Sequence, residues 1–202
     1  MQVKLEKQYP VAAGTDAAWQ VLRDIKLLAG CMPGAEITEQ LDDTHYKGHV
    51  KVKIGPAAAA FGGEIEVLAF DDAGKNIRLM GKGADKSGSS ASMDLTASIL
   101  PGETPGQCIL HGNTDVIVNG KFAQFGGRMM TSVSDTILGQ FADNFSIKAG
   151  EFYAQSNPGA VQGTADGQSG AGKARAHTEL NAFSILWSMI KGFFSGLFGS
   201  KK

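Results

Sequence analysis

Apolar and polar residues alternate along most of the first 120 positions, and the alternation then gives way to a helical period. Residues 2–9 set Val3, Leu5 and Tyr9 against Lys4, Glu6 and Gln8, which predicts a first strand ended by Pro10. Trp19, Leu22 and Ile25 then recur at three-residue steps with Leu28 continuing. A short helix is expected here, capped by Thr15 or Asp16 and closed by Gly30. Cys31-Met32-Pro33-Gly34 follows as an apolar turn or a broken second helix. From Ala35 the period is two again. The turn signals Asp42-Asp43, Gly55-Pro56, Asp71-Asp72-Ala73-Gly74, Lys86-Ser87-Gly88 and Pro101-Gly102 divide it into candidate strands 35–41, 45–54, 59–70, 76–84, 88–100 and 107–119. With the first strand this makes seven, and such short connectors predict antiparallel neighbours. Gly48, Gly63, Gly81, Gly83 and Gly112 fall inside strands, where they are expected to bend the sheet into a curl.

Lys121 to Lys148 reads as one long amphipathic helix. At 3.6 residues per turn Phe122, Phe125, Met129, Val133, Ile137, Phe141 and Phe145 form an apolar stripe, with Gln124, Arg128, Ser132 and Asp135 opposite. At about 1.5 Å per residue it is roughly 40 Å long, enough to cross a small domain. Its upstream neighbours are strands, so the surface it docks on is expected to be the sheet. A bent sheet gripped by one helix rarely closes fully. The gap is expected to be apolar, lined by Phe61, Leu68, Phe70, Leu79, Met93, Phe122, Phe125, Met129 and Val133, the alternative being a filled core. The small, apolar stretch 55–63 would suit the lip of a greasy entrance or a membrane-facing loop.

Past Tyr153 the composition changes. Residues 1–153 form the expected globular domain, and 154–178, rich in Gly, Ala, Gln and Ser, lack the apolar side chains needed to offset chain entropy and read as a flexible linker. Residues 179–202 follow, the most hydrophobic stretch of all. As a helix this stretch confines Asn181, Ser184, Ser188, Lys191 and Ser195 to a narrow stripe and leaves Phe183, Leu186, Trp187, Ile190, Phe193, Phe194, Leu197 and Phe198 on the rest. The apolar run from Ala182 to Phe198 is short for a span and is interrupted by Lys191. An amphipathic helix lying in the headgroup region is expected instead, with Lys201 and Lys202 meeting anionic lipid. Docking back on its own domain, or on a second copy, is the competing reading.

Charge and candidate chemistry narrow the options. Residues 1–153 carry 14 Lys/Arg against 18 Asp/Glu, so the acidic body argues against nucleic acid as a partner. Two cysteines, Cys31 and Cys108, cannot build a disulfide framework and read as small buried hydrophobes in a reducing compartment. MQVKLEKQYP has no apolar core of a signal peptide. His45, His49, His111 and His177 are too scattered to suggest a metal site, and no pair of carboxylates is spaced to assign an acid and a base. No catalytic residue and no metal ligand is expected.

Four stretches carry a family resemblance. Trp19, Leu22 and Asp24 precede Cys31-Met32-Pro33-Gly34-Ala35-Glu36. Lys51-Val52-Lys53-Ile54-Gly55-Pro56, Gly81-Lys82-Gly83-Ala84-Asp85 and Val118-Asn119-Gly120-Lys121-Phe122-Ala123-Gln124-Phe125-Gly126 follow in order. In these, and in the order strand, helix, broken helix, six strands, long helix, residues 1–150 resemble the carbon monoxide dehydrogenase G-subunit (CoxG) family of the START-like (SRPBCC) helix-grip superfamily. The resemblance implies an α+β helix-grip fold, a curved seven-stranded antiparallel sheet wrapped around a long helix. It also implies an accessory protein of a carbon monoxide dehydrogenase-type molybdenum hydroxylase, itself without molybdenum, flavin or iron–sulfur cluster. Such a protein would recruit that enzyme to the cytoplasmic face of the inner membrane and bind a respiratory quinone, menaquinone or ubiquinone. Two rivals stand beside this expectation: a tether with a filled core, and a small enzyme acting on a hydrophobic substrate, which would need groups such as Asp85 or His111 turned inward.

Overall fold

A computed structural model describes residues 1–54 and 57–156. The expected elements beyond Ser156, linker and amphipathic tail alike, lie outside the described residues. Seven strands, β1 (Gln2–Val11), β2 (Ala35–Gln40), β3 (His45–Ile54), β4 (Ala57–Asp71), β5 (Asn76–Ala84), β6 (Ser90–Pro101) and β7 (Cys108–Asn119), form one antiparallel sheet in the order β1-β7-β6-β5-β4-β3-β2. Helices α1 (Thr15–Arg23) and α2 (Ile25–Cys31) lie between β1 and β2, and α3 (Gly126–Ser156) closes the order. The fold is the α+β helix grip. Strands β2 to β7 are a meander, each pairing with the next through a short connector, and β1 joins the far edge by pairing with β7.

Three expectations need correction. Pro10 does not end β1, which runs to Val11; β1 is an edge strand, where a residue without an N–H is tolerated. The first helix is two. Asp24 adopts an extended conformation and its carboxylate accepts hydrogen bonds from the Lys26 and Leu27 amides, at 2.9 and 3.0 Å, so it ends α1 and caps α2. Neither Thr15 nor Asp16 caps α1, whose N-cap is Gly14 without a side-chain bond. The long helix also begins later than Lys121. Residues Gly120–Phe125 form a 3-10 turn bounded by Gly120 and Gly126, with φ of 79° and 75°, a backbone region that favours glycine. The break at Gly126 resets the helical phase. Met130, not Met129, joins Val133 on the packed side, and Met129 is 40% exposed.

Three of the intrastrand glycines line up across the curved sheet. Gly48, Gly63 and Gly83 are cross-strand partners in one transverse row. A Cβ at Gly63 would overlap the Lys82 carbonyl oxygen, and one at Gly48 would meet the Glu36 carbonyl, so the strands approach there more closely than any side chain permits. β4 carries a bulge between Val67 and Ala69.

The main core is closed. Ile77, Leu79, Ala97, Ile99, Cys108 and Leu110 from the concave face pack against Trp19, Val21, Leu22, Ile25 and Leu28 of the short helices and Phe145 and Ala149 of α3. Trp19 anchors the short helices, donating its indole N–H to Asp72 Oδ1 at 2.9 Å and packing on Phe70 with ring centroids 5.2 Å apart. Cys31 and Cys108 are free and buried, as expected, and burial pushes the Cys108 thiol up to about 11.

Candidate functional site: a half-sealed interior under the long helix

The two halves of α3 meet the sheet differently. Its C-terminal half is fastened at several points: Ala142, Phe145 and Ala149 are buried, Asn144 Nδ2 donates to the Cys31 carbonyl at 3.0 Å, and the Ala12 amide donates to Ser146 Oγ at 3.3 Å. In the N-terminal half none of the side chains from Arg128 to Phe141 is fully buried. A single ion pair ties this half to the sheet edge, Lys7 Nζ to Asp135 Oδ1 at 2.8 Å, and that carboxylate holds the Lys7 ammonium above its ordinary pKa.

The facing part of the sheet shows the same contrast. Along β5, β6 and β7 the concave residues nearest the short helices are buried. One or two steps on, Met93, Leu95, Thr114 and Val116 are only half-buried, as are Leu5 on β1, Val50 on β3 and Ile65 on β4. Leu5, Val50, Met93 and Ile137 sit at the margins of the two apolar clusters, Val50 opposite Phe61 and Met93 opposite Val116 across their strand pairs. A Cβ at Gly112 would meet nothing closer than Leu95 Cδ1 at 4.0 Å. The concave side chains between the middle of the sheet and the N-terminal half of α3 are therefore incompletely covered, and almost all of them are apolar.

A smaller apolar cluster forms the far end of this region. Phe122 is fully buried against Ala59 and Val118, and half-buried Val52, Phe61, Val116, Phe125, Met130 and Val133 surround it. The Phe61 and Phe125 rings each sit 5.8 Å from the Phe122 ring. This contact brings the β3–β4 hairpin to the 3-10 turn, so the sheet has curled far enough for widely spaced strands to meet.

Of the nine residues expected to line the gap, Phe61, Phe122, Phe125 and Val133 assemble in this cluster and Met93 faces the space beside it. The others lie elsewhere. Leu79 belongs to the closed core, Phe70 packs on Trp19, Leu68 is 39% exposed at the β4 bulge, and Met129 is exposed at the lip. Sequence reasoning missed Leu5, Val50, Ile65, Leu95, Thr114, Val116 and Ile137. Strand parity could have found the six on strands, because each shares its face with a residue already known to point inward, and Ile137 stands on the apolar stripe of the long helix.

One polar atom stands out among these walls. Thr114 Oγ1 is buried and has no hydrogen-bond partner in the structure, on a strand face otherwise lined by Leu5 and Leu95. The two groups named for a catalytic reading, Asp85 and His111, are engaged elsewhere. His111 lies on the outer face, 3.2 Å from Glu6, and Asp85 is spent within its own turn, accepting from Ser87 and the Ser89 amide, which holds its carboxyl below the usual range. His45 and His49 likewise pair with outer-face carboxylates, Asp42 and Glu36, and His177 lies outside the described residues. A separate hollow of about 440 Å³, lined by Arg23, Asp24, Lys26, Gln40, Tyr46 and Phe152 among others, opens beside the α1–α2 break and is largely polar. Among the described residues no helix is long and apolar enough to cross a membrane.

Fold and interior together define a START-like helix-grip protein whose concave face suits a hydrophobic guest. Solved structures share this architecture. A conserved protein from Geobacillus kaustophilus superposes with a TM-score of 0.66 at 17% identity, covering 74% of this chain and 96% of that one. The ZhuI aromatase/cyclase from Streptomyces sp. R1128 gives 0.55 at 15% identity, covering 81% and 100%. A START superfamily protein from Mycobacterium smegmatis gives 0.51 at 17%, covering 73% and 97%. At these identities the likeness concerns the fold. No curated protein matches the sequence. Residues 8–150, however, match the carbon monoxide dehydrogenase G-subunit (CoxG) family, and the chain belongs to that family. The family's name associates it with carbon monoxide dehydrogenase as an accessory component.

Proposed function

We propose that this protein takes a respiratory quinone, menaquinone or ubiquinone, into the space under α3, and thereby links a carbon monoxide dehydrogenase-type molybdenum hydroxylase to the quinone pool at the cytoplasmic face of the cell membrane. The observation that carries this reading is the half-sealed interior. Leu5, Val50, Met93 and Ile137 are only partly buried on the side of the sheet that faces α3, and an apolar guest would cover what the helix leaves open. An isoprenoid tail gains about 0.8 kcal/mol for each CH₂-sized unit buried, so it does not cross water without such a sheath. The Thr114 hydroxyl, sealed from solvent beside Leu5 and Leu95 and without a protein partner, would reach a quinone ring carbonyl once those side chains part around the guest. Residues 179–202 act as the peripheral anchor that keeps the domain at the bilayer, and residues 154–178 act as the tether.

Full-length protein purified from its native membrane is expected to carry quinone, identified by native mass spectrometry with solvent extraction; a protein that neither carries nor accepts quinone refutes the carrier. Thr114→Val is expected to weaken quinone binding by about 0.5–1.5 kcal/mol without loss of thermal stability. Deleting residues 179–202 is expected to release the protein from membranes in a flotation assay, and continued association of the truncated chain refutes the anchor.

A further inference from the structure

The cations of the domain are unevenly used. Among the described residues Lys4, Lys7, Arg23, Lys47, Lys75, Arg78 and Lys148 each pair with a carboxylate. Seven others form no ion pair with a described carboxylate. Six of the seven, Lys51, Lys53, Lys82, Lys86, Lys121 and Arg128, lie at one end of the molecule: on the β3–β4 hairpin, at the β5–β6 turn, in the 3-10 turn and in the first turn of α3. All six are exposed. Segments 50–54, 57–64, 82–92 and 117–131, which make this end, hold these six cations and two acidic residues, Asp85 and Glu64, the cross-strand partner of Lys82. The rest of residues 1–153 holds 8 Lys/Arg against 16 Asp/Glu. A net-acidic domain thus presents a strongly basic pole.

The same pole carries the open apolar cluster. Half-buried Phe125, Met130 and Val133 and exposed Met129 sit among the cations, and Lys121 lies over the Phe122 ring with its ammonium 5.2 Å from the centroid. Cations ringing an apolar patch match a bilayer with anionic headgroups, which attracts the charges and accepts the side chains between them. An acidic protein surface would satisfy the charges and leave the apolar patch without a partner. The opposite pole, with Asp16, Asp42, Asp43, Asp71, Asp72 and Glu103 in its helices and turns, is repelled by the same surface.

We infer that this basic pole is a second membrane contact, independent of residues 179–202, which seats the open end of the interior against anionic lipid. The inference builds on the proposal that the interior takes its guest from the bilayer, and it gives that transfer a direction. The domain docks with the Phe125–Met129 lip toward the headgroups, and the guest moves between bilayer and interior without entering bulk water.

The test uses the full chain carrying one environment-sensitive fluorophore at Met129→Cys or, on the opposite pole, at Thr104→Cys; the buried native thiols, 3% and 1% exposed, leave the added one as the labelling site. Vesicles of phosphatidylcholine with 30–40% phosphatidylglycerol, on the order of a natural anionic fraction, are added with and without salt. The label at 129 is expected to shift to the blue and the label at 104 not to. The shift is expected to fade in pure phosphatidylcholine and above about 0.5 M salt. The variant Lys51→Gln, Lys53→Gln, Lys86→Gln, Arg128→Gln, which leaves Lys121 on its ring, is expected to lose about fivefold per cation in the docking equilibrium constant while still floating with vesicles through its tail. No shift at 129, equal shifts at both poles, a shift unchanged by lipid charge and by the variant, or a shift elicited only by the partner dehydrogenase would each overturn the inference. None of these readouts involves quinone, so failure here leaves the carrier reading standing, and a protein that docks without ever holding quinone overturns the carrier alone.

Discussion

The two ends of α3 rest on the same sheet and yet behave as different materials. At one end Phe145 and Ala149 are buried to the last atom against Trp19, Leu22 and the concave residues of β5 to β7. At the other, Phe125, Met130 and Val133 gather round one buried ring, Phe122, with incompletely covered side chains between them and the core. The helix is weakly biased toward its own conformation where it is least supported. Gly126, Gly127, Thr131, Ser132, Val133, Ser134 and Thr136 crowd its first three turns, all residues of low helix propensity. Stability is concentrated at one end, and adaptability at the other.

Equivalent truncations should therefore cost unequal amounts. Phe145→Ala is expected to lose about 3–5 kcal/mol of unfolding free energy, measured by urea denaturation, because the packed surroundings cannot collapse into the cavity. Phe125→Ala, removing the same ring from a half-exposed site, is expected to lose less than about 2 kcal/mol. Equal losses would break the comparison. Enlargement should discriminate in the opposite sense. Leu79→Trp overpacks a closed core and is expected to cost about 1–3 kcal/mol or more. Met93→Trp fills the vacant space and is expected to cost less than about 1 kcal/mol while reducing quinone binding at least tenfold, about 1.4 kcal/mol, by calorimetric titration.

The sheet was legible because nothing competes with its pattern. Alternation, turn signals and strand count come from local chemistry, and three of the intrastrand glycines form one row, Gly48, Gly63, Gly83, across the sheet. The site was only partly legible, for three local reasons. The bulge at Leu68 puts one residue out of step on β4, so a side chain assigned to the interior by composition ends in solvent. Gly126 breaks the helical phase, exchanging Met129 for Met130. Leu79 and Met93 lie on the same face only two residue steps apart across β5 and β6, and what separates closed core from open space is the distance to α1 and α2, which no strand pattern encodes.

The smallest expected effect tests whether the outer surface is uncoupled from the interior. In the β2–β3 turn the Asp42 carboxylate, 3.0 Å from His45 Nδ1, holds the imidazole above its ordinary value of 6.5. A raised folded-state value stabilises the fold below the unfolded pKa, and the contribution is lost as pH rises through the folded one. Asp42→Asn is expected to return His45 toward 6.5 by proton NMR titration and to leave quinone affinity unchanged. A change in affinity would show that the turn and the interior communicate.

The incomplete seal under α3 also has a calorimetric consequence. Apolar surface that is already hydrated in the folded state adds nothing to the heat-capacity increment of melting, so the empty domain is expected to fall below the usual ~12–15 cal/mol/K per residue. Loading the interior dries that surface, and the association is expected to show a negative heat-capacity change and to steepen the curvature of the stability dome.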